Sequence, residues 1–85
     1  MNKDEIIKKI ITVLEGYGPI PKESLVEKLA YRYLDEGHID SFAIVNFIIN
    51  LEDAFGIELS AEDTQSDEFR TVEGIVGIVI ERLSA

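Results

Sequence analysis

A chain of 85 residues with no cysteine and a formal net charge of -9 excludes several functions before any motif is considered. A chain of this length has room for one domain with a modest core, so we expect residues 1–85 to form a single domain without a separate catalytic unit. Without cysteine, the chain has no disulfide, thiolate metal ligand or thiol nucleophile of its own. The acidic balance opposes binding to nucleic acid and to anionic membranes, and it favours basic protein surfaces as partners.

The location of the protein is also indicated by the sequence. Residues 1–5 lack the basic and then apolar order of a secretion signal. No stretch approaches the ~20 apolar residues that a membrane span requires. We therefore expect a cytoplasmic protein that does not bind membranes, and we expect a monomer.

The first predicted element is an amphipathic helix from Lys3 to Glu15, capped by Asn2. Its apolar residues recur at the spacing of one helical face, and they are Ile6, Ile7, Ile10, Ile11 and Leu14. Two glycines and two prolines within residues 16–21 end this helix. A long connection follows, in which residues 22–30 form a short helical segment. The tyrosines of this region are expected to be packing anchors, and they are Tyr17, Tyr31 and Tyr33.

A more apolar helix is predicted from Phe42 to Phe55, and it ends at Gly56, a residue type that accepts the left-handed conformation common just past a helix end. Asp40 can cap the free amides of the first turn. Ser41 would then lie at the positively polarised terminus with its side chain pointing outward. Such a terminus favours a phosphate, so we expect the chemistry of this protein at the Ser41 hydroxyl.

The helix that follows Ser41 carries two apolar stripes. One is the expected core stripe, made of Ile44, Phe47, Ile48, Leu51 and Phe55. The other, which we call the outer stripe, is made of Phe42, Val45 and Ile49. Its polar neighbours are Asn46, Glu52 and Asp53. Aligned apolar residues beside a modifiable hydroxyl predict a contact surface for a partner, although the outer stripe could instead pack under the connection of residues 16–39.

The last segment, residues 72–83, is rich in β-branched residues, which by propensity alone favour a strand. No other segment supplies a partner strand, and Thr71 is a plausible helix cap, so a helix is predicted. Its apolar face consists of Val72, Ile75, Val76, Val79 and Leu83. Gly74 and Gly77 each cost a helix about 1 kcal/mol relative to alanine, which indicates close approach to a neighbouring helix. Together the elements predict an all-α, four-helix bundle with one short helix.

Other candidate sites are better explained as structural features. His38 is the only histidine, and it lies three residues from Ser41 on a tight segment, so a Ser-His-Asp triad is not expected and no catalytic residue is predicted. A loop histidine of this kind is usually solvated. The carboxylates of residues 62–68 lack the order of a calcium loop, so we expect a solvated acidic surface and no metal site. Ser60 is predicted to cap a single helical turn.

The residues around Ser41 match a known attachment motif. The motif is Asp-Ser followed by a large apolar residue, here Asp40-Ser41-Phe42, with Gly37 four residues before the serine. The match continues through the run from Leu51 to Leu59, which combines leucine, acids and phenylalanine with a short apolar loop. In these features, and over roughly its whole length, the chain resembles the acyl carrier protein family.

The resemblance implies a carrier domain over residues 1–85 that is not an enzyme. Ser41 would bear 4'-phosphopantetheine, donated by coenzyme A and attached by a phosphopantetheinyl transferase, with Asp40 helping to position the reacting phosphate. The arm would hold an acyl or aminoacyl group as a thioester, as in fatty acid or polyketide biosynthesis. Loading ligases or transferases and downstream synthase enzymes with basic patches would dock on the helix after Ser41. The residues implied in docking are Phe42, Val45, Asn46, Ile49, Glu52 and Asp53.

Two departures from the family pattern point to a specialised pathway. Ala43 and Asn46 stand at positions that are often acidic in the family. The spacing from Gly37 to Ser41 looks more like that of stand-alone aminoacyl, D-alanyl and specialised acyl carriers. The alternative hypothesis is an unmodified acidic helical interaction module, which would bind through the outer stripe and use Ser41 only to start the helix.

Overall fold

The computed structural model describes residues 1–84, and every regular element in that part of the chain is helical, which confirms the predicted all-α fold. The α-helices are α1 (Lys3–Glu15), α2 (Leu25–Leu29), α3 (Ile44–Phe55), α4 (Ala61–Gln65) and α5 (Val72–Ser84), and a 3₁₀ turn spans Asp67–Arg70. Three long helices form the bundle, and α2, α4 and the 3₁₀ turn are short. Within residues 1–84, no helix combines the length and apolar character needed to cross a membrane.

Helix α1 has the bounds that the sequence predicts. The Asn2 Oδ1 atom accepts a hydrogen bond from the Glu5 amide at 2.9 Å, which satisfies one of the free donors of the first turn. Its apolar face packs against α3 and α5. The buried residues of that face are Ile6, Ile7, Ile10 and Leu14.

Helix α5 forms despite its β-branched composition because its apolar face is buried in the core. The Thr71 Oγ1 atom accepts a hydrogen bond from the Gly74 amide at 3.0 Å, as expected of a cap. Buried residues on α5 are Val72, Ile75, Val76, Ile78 and Val79. Leu83, which the spacing predicts on the same apolar face, is 40% exposed near the helix end.

The two glycines of α5 have different explanations. A Cβ atom on Gly74 would overlap the backbone carbonyl of Glu68, so the predicted close approach is real, but the neighbour is the 3₁₀ turn. A Cβ atom on Gly77 would meet nothing within 4 Å, and there the prediction of close approach is wrong.

The long connection between α1 and α3 is held down by buried tyrosines, as predicted. The Tyr33 ring lies edge-on to Phe47 at 5.4 Å and to Phe69 at 6.2 Å, measured between ring centroids. Its hydroxyl donates a hydrogen bond to the Phe69 carbonyl, and burial raises the pKa of Tyr33. These contacts join the connection, α3 and the 3₁₀ turn in one aromatic cluster.

His38 fastens the end of this connection to α1. Its Nε2 atom lies 3.1 Å from the Leu14 carbonyl oxygen, and its Nδ1 atom lies 3.1 Å from the Tyr31 hydroxyl. Because a carbonyl only accepts, Nε2 carries the hydrogen, and in the neutral ring Nδ1 accepts from Tyr31. The expectation of a solvated loop histidine is therefore wrong, and His38 has a structural role just before Ser41.

Candidate functional site

The Ser41 residue lies in the turn that leads into α3. The Ala43 and Ile44 amides both donate to the Asp40 carbonyl oxygen, at 3.2 and 3.1 Å, so helical hydrogen bonding already starts at Asp40. Regular α-helix begins at Ile44, two residues later than predicted, because residues 41–43 form a looser turn. The other end matches the prediction, since Gly56 has a left-handed φ of 64°.

The Asp40 carboxylate caps this turn. Its Oδ1 atom accepts hydrogen bonds from the Phe42 amide at 2.9 Å and from the Ala43 amide at 2.8 Å. The predicted cap is therefore present, and these two amides are not open to a phosphate. A phosphodiester on Ser41 would gain only the positive polarisation of the helix terminus.

The Ser41 side chain is exposed, and its hydroxyl makes no hydrogen bond to the residues that the structure describes. Ser60 provides the contrast within the same chain. Its Oγ atom accepts the Asp63 amide at 3.1 Å, and the Asp63 carboxylate accepts the Ser60 amide at 3.0 Å, which completes a capping box. Ser60 is therefore occupied as a cap, whereas Ser41 is free to bear a group that projects into solvent. The residues present thus fit an outward-pointing prosthetic arm.

The outer stripe of α3 is solvent-exposed. Phe42 is 93% exposed, Val45 63% and Ile49 49%. The alternative in which these residues pack under the preceding connection is therefore wrong. The core stripe lies on the opposite side, where Phe47, Leu51 and Phe55 are buried and Ile44 and Ile48 are partly buried.

Beside the outer stripe, Tyr17, Asn46 and Asn50 form a closed set of hydrogen bonds. The Tyr17 hydroxyl donates to Asn46 Oδ1 at 2.8 Å, and Asn50 Nδ2 donates to the Tyr17 oxygen at 2.8 Å and to Asn46 Oδ1 at 2.9 Å. Tyr17 is therefore more than a packing anchor. Asn50 is not among the residues predicted for this surface, although two asparagines at i and i+4 on one helix are a usable signal.

The two acidic residues expected on the docking surface have different positions. Glu52 is partly buried, and its Oε2 atom accepts the Leu59 amide at 2.8 Å, which fixes the chain after α3. Asp53 is exposed. Of the two residues, Asp53 is the more exposed, and Glu52 has one carboxylate oxygen engaged.

The acidic segment around α4 is not uniformly solvated. Asp63 is only 9% exposed and forms a bidentate pair with Arg82, whose Nε and Nη2 atoms donate at 2.8 and 2.6 Å. The hydrogen bond from Arg82 is the main cause that lowers the pKa of Asp63 to about 2. The pair ties α4 to α5, so the expectation that Asp63 belongs to a solvated surface is wrong.

Several known proteins are similar to this chain over most of its length. The acyl carrier protein of Lactobacillus acidophilus is 29% identical over 79 residues, which cover 93% of this chain and 94% of that protein. The acyl carrier protein of Rubrobacter xylanophilus is 28% identical over 85 residues, the full length of both. A D-alanyl carrier protein of Bacillus cereus is 26% identical over 72 residues, which cover 85% of this chain and 89% of that protein. No protein-family model matches the chain, and no solved structure matches it.

In its sequence and in its helical fold, the chain is therefore similar to carrier proteins. The predicted resemblance to the acyl carrier protein family is confirmed.

Proposed function

We propose that this chain carries an acyl or aminoacyl group as a thioester on 4'-phosphopantetheine attached to Ser41. The observation that carries the proposal is the exposed and unengaged Ser41 hydroxyl, placed by the Asp40 cap at the start of α3. The outer stripe, whose Phe42 directly follows the serine, gives partner enzymes a surface to bind. Residues 1–85 would act as one carrier domain with no catalysis of its own.

The attachment would be made by a phosphopantetheinyl transferase that uses coenzyme A. The Ser41 hydroxyl would lose its proton to a base of the transferase, and its oxygen would form a bond to the phosphorus that bears the pantetheine portion. The bond from that phosphorus to the bridging oxygen would break, and adenosine 3',5'-bisphosphate would leave. Asp40 Oδ1 is taken up by two amides, which leaves its other carboxylate oxygen to help position the metal-bound phosphate. Once attached, the arm supplies the thiol that the cysteine-free chain lacks.

The cargo and the partners follow from the same proposal. A loading ligase or transferase would charge the arm, and downstream synthase enzymes of fatty acid, polyketide or related biosynthesis would take up the cargo. Similarity to both acyl and D-alanyl carrier proteins is compatible with either cargo. The neutral residues Ala43 and Asn46 support a specialised pathway. The proposal places the protein in the cytoplasm as a monomer.

Intact mass spectrometry tests the attachment. The purified protein is incubated with coenzyme A, magnesium and a broad-specificity phosphopantetheinyl transferase, and we expect a mass increase equal to one phosphopantetheine arm. Ser41→Ala should abolish this increase. Ser60→Ala is the matched control, because Ser60 is a second exposed serine before a helical turn, and this variant should still gain the arm. An unchanged mass of the parent protein with several transferases, or a gain by Ser41→Ala, contradicts the proposal.

The exposed outer stripe by itself also fits an unmodified interaction module, since such a module would need Phe42, Val45 and Ile49 but not the hydroxyl. The mass experiment separates the two functions, because the module would gain no mass.

A further inference from the structure

Three aromatic rings fill the interior of the bundle beside the first turn of α3. Phe47 is the first buried residue of that helix. Its ring centroid lies 5.4 Å from that of Tyr33 and 6.2 Å from that of Phe69, and the Tyr33 and Phe69 centroids are 6.2 Å apart. Distances of this size mean direct contact between rings. We call these three residues the aromatic cluster, and a chain could pass between its members only by moving a ring.

The aromatic cluster is fixed on the side of the 3₁₀ turn. The Tyr33 side chain is fully buried, and its hydroxyl donates a hydrogen bond to the Phe69 carbonyl. Separating the two residues would leave this donor and this acceptor unpaired in apolar surroundings, which is unfavourable. The turn that carries Phe69 also lies against α5, where the Glu68 carbonyl approaches Gly74 so closely that no side chain would fit. The cluster therefore resists opening from this side.

The chain directly before Ser41 is closed as well. Ile39 is buried in the same core as the aromatic cluster, and the His38 ring beside it bonds to the Leu14 carbonyl. Five clefts on the described surface each have at least one charged residue in their walls, and none of the five is lined by residues 39–45. These five clefts therefore offer an apolar chain no shelter next to Ser41.

Resting on the proposed function, we infer that the aromatic cluster keeps the cargo outside the bundle, and that this carrier takes a short or polar acyl group, such as an aminoacyl group, and not a long alkyl chain. A long alkyl chain would leave water for any core that could take it up, because the gain grows with each buried methylene. Adding carbon atoms to a filled core, however, forces side chains and backbone out of place. A short or charged group loses little by remaining in water.

Cargo of two lengths tests this inference. The broad-specificity transferase, magnesium and either acetyl- or octanoyl-coenzyme A give two loaded forms, and intact mass verifies the loading. The thermal midpoint of the octanoyl form should not exceed that of the acetyl form by more than about 1 °C, because a group that stays outside does not stabilise the folded state. The amide NMR signals of Tyr33, Phe47 and Phe69 should coincide in the two forms. A midpoint several degrees higher for the octanoyl form, or displaced signals of the aromatic cluster, overturns the inference while leaving the carrier function intact.

Removal of one ring tests the role of the aromatic cluster. Phe69→Ala opens a cavity beside Tyr33 and Phe47, so the octanoyl form of this variant should unfold about 4 °C or more above its acetyl form. If Phe69→Ala does not fold, Phe69→Val takes its place, with a gain of the same sign. Val26→Ala is the matched control, because it shortens an exposed apolar side chain and opens no cavity, and its two loaded forms should behave as in the parent.

Equal midpoints for the two loaded forms of the Phe69 variant overturn the role given to the aromatic cluster. A parent protein that gains no arm from either donor would instead overturn the proposed function, and this inference with it.

Discussion

The Tyr17 hydroxyl donates a 2.8 Å hydrogen bond to Asn46 Oδ1 and so joins the segment after α1 to the solvent side of α3. The Tyr17 ring also lies edge-on to Phe47, with 5.9 Å between ring centroids. One residue therefore contacts both the buried and the exposed sides of the helix that follows Ser41. This hydrogen bond therefore links the solvent side of α3 to a loop that is 29 residues away in sequence from Asn46.

We expect Tyr17→Phe to lower the free energy of unfolding by about 1 kcal/mol, because it removes two exposed hydrogen bonds, one donated to Asn46 and one accepted from Asn50, but keeps the ring. Urea denaturation followed by circular dichroism measures this change. Tyr33→Phe is a useful comparison, since it leaves the Phe69 carbonyl without its donor in the core, and it should be the more destabilising variant. Equal losses of unfolding free energy in the two variants would show that the Tyr17 hydroxyl stabilises the fold more than an exposed hydrogen bond usually does.

Asp40 combines a structural and a chemical role that two substitutions separate. Asp40→Ala removes the acceptor of the Phe42 and Ala43 amides and should lower stability by about 1 kcal/mol. Asp40→Asn keeps a side-chain oxygen and should retain most of that stability while losing the charge. If the charge positions the metal-bound phosphate, Asp40→Asn will slow attachment of the arm at an unchanged thermal midpoint. A normal attachment rate for this variant would restrict Asp40 to capping.

The Asp63–Arg82 pair predicts a loss of stability at low pH. The hydrogen bond from Arg82 lowers the pKa of Asp63 in the folded protein to about 2, below its ordinary value of 3.8, so folding favours the ionised carboxylate. This contribution is fully present above about pH 4, and it is lost as the pH falls toward 2. Thermal unfolding from pH 6 to pH 2 should show a smaller acid-induced loss in Asp63→Asn than in the parent chain. If stability falls equally with pH in the two proteins, the acid-induced loss does not come from the lowered pKa of Asp63.

Gly74 and Gly77 offer a matched pair on one helix. Gly74→Ala should lower the free energy of unfolding by about 1–3 kcal/mol, because its Cβ would overlap the Glu68 carbonyl. Gly77→Ala should raise it by about 0.5–1 kcal/mol, since the space is open and alanine is the better helix former. Chemical denaturation of both variants measures whether the two changes in unfolding free energy have opposite signs.

Ile49→Glu tests the outer stripe at its least exposed residue. Because Ile49 is 49% exposed, a carboxylate there can reach water and the helical circular dichroism signal should persist. Arm attachment should become slower, since the charge would enter an apolar contact. Loss of the helical signal would instead assign Ile49 to the core.

Much of the fold was predictable because it depends on local sequence. The bounds of α1, the left-handed Gly56 and the separation of the core and outer stripes follow from caps and helical spacing within a few residues. The late start of α3 was missed because Asp40 caps a looser turn whose geometry the helical pattern does not encode.

What the sequence did not reveal depends on distant contacts. His38 bonds to Leu14 across 24 residues, and Asp63 pairs with Arg82 across 19, so each looked like an ordinary exposed residue. The same limit applies to Gly77 and Gly74, because spacing along one helix does not show which side meets the 3₁₀ turn. At the candidate site, the free Ser41 hydroxyl follows from the motif, whereas the hydrogen-bonded set on Tyr17 requires the folded chain.

The bond from His38 to Leu14 has a mechanical consequence for any arm attached at Ser41. Ile39, two residues before the serine, is buried, so the backbone is anchored immediately upstream of the attachment point. A tether fixed there would swing about a stationary pivot, and the radius it sweeps would be set by its own length rather than by excursions of the protein loop.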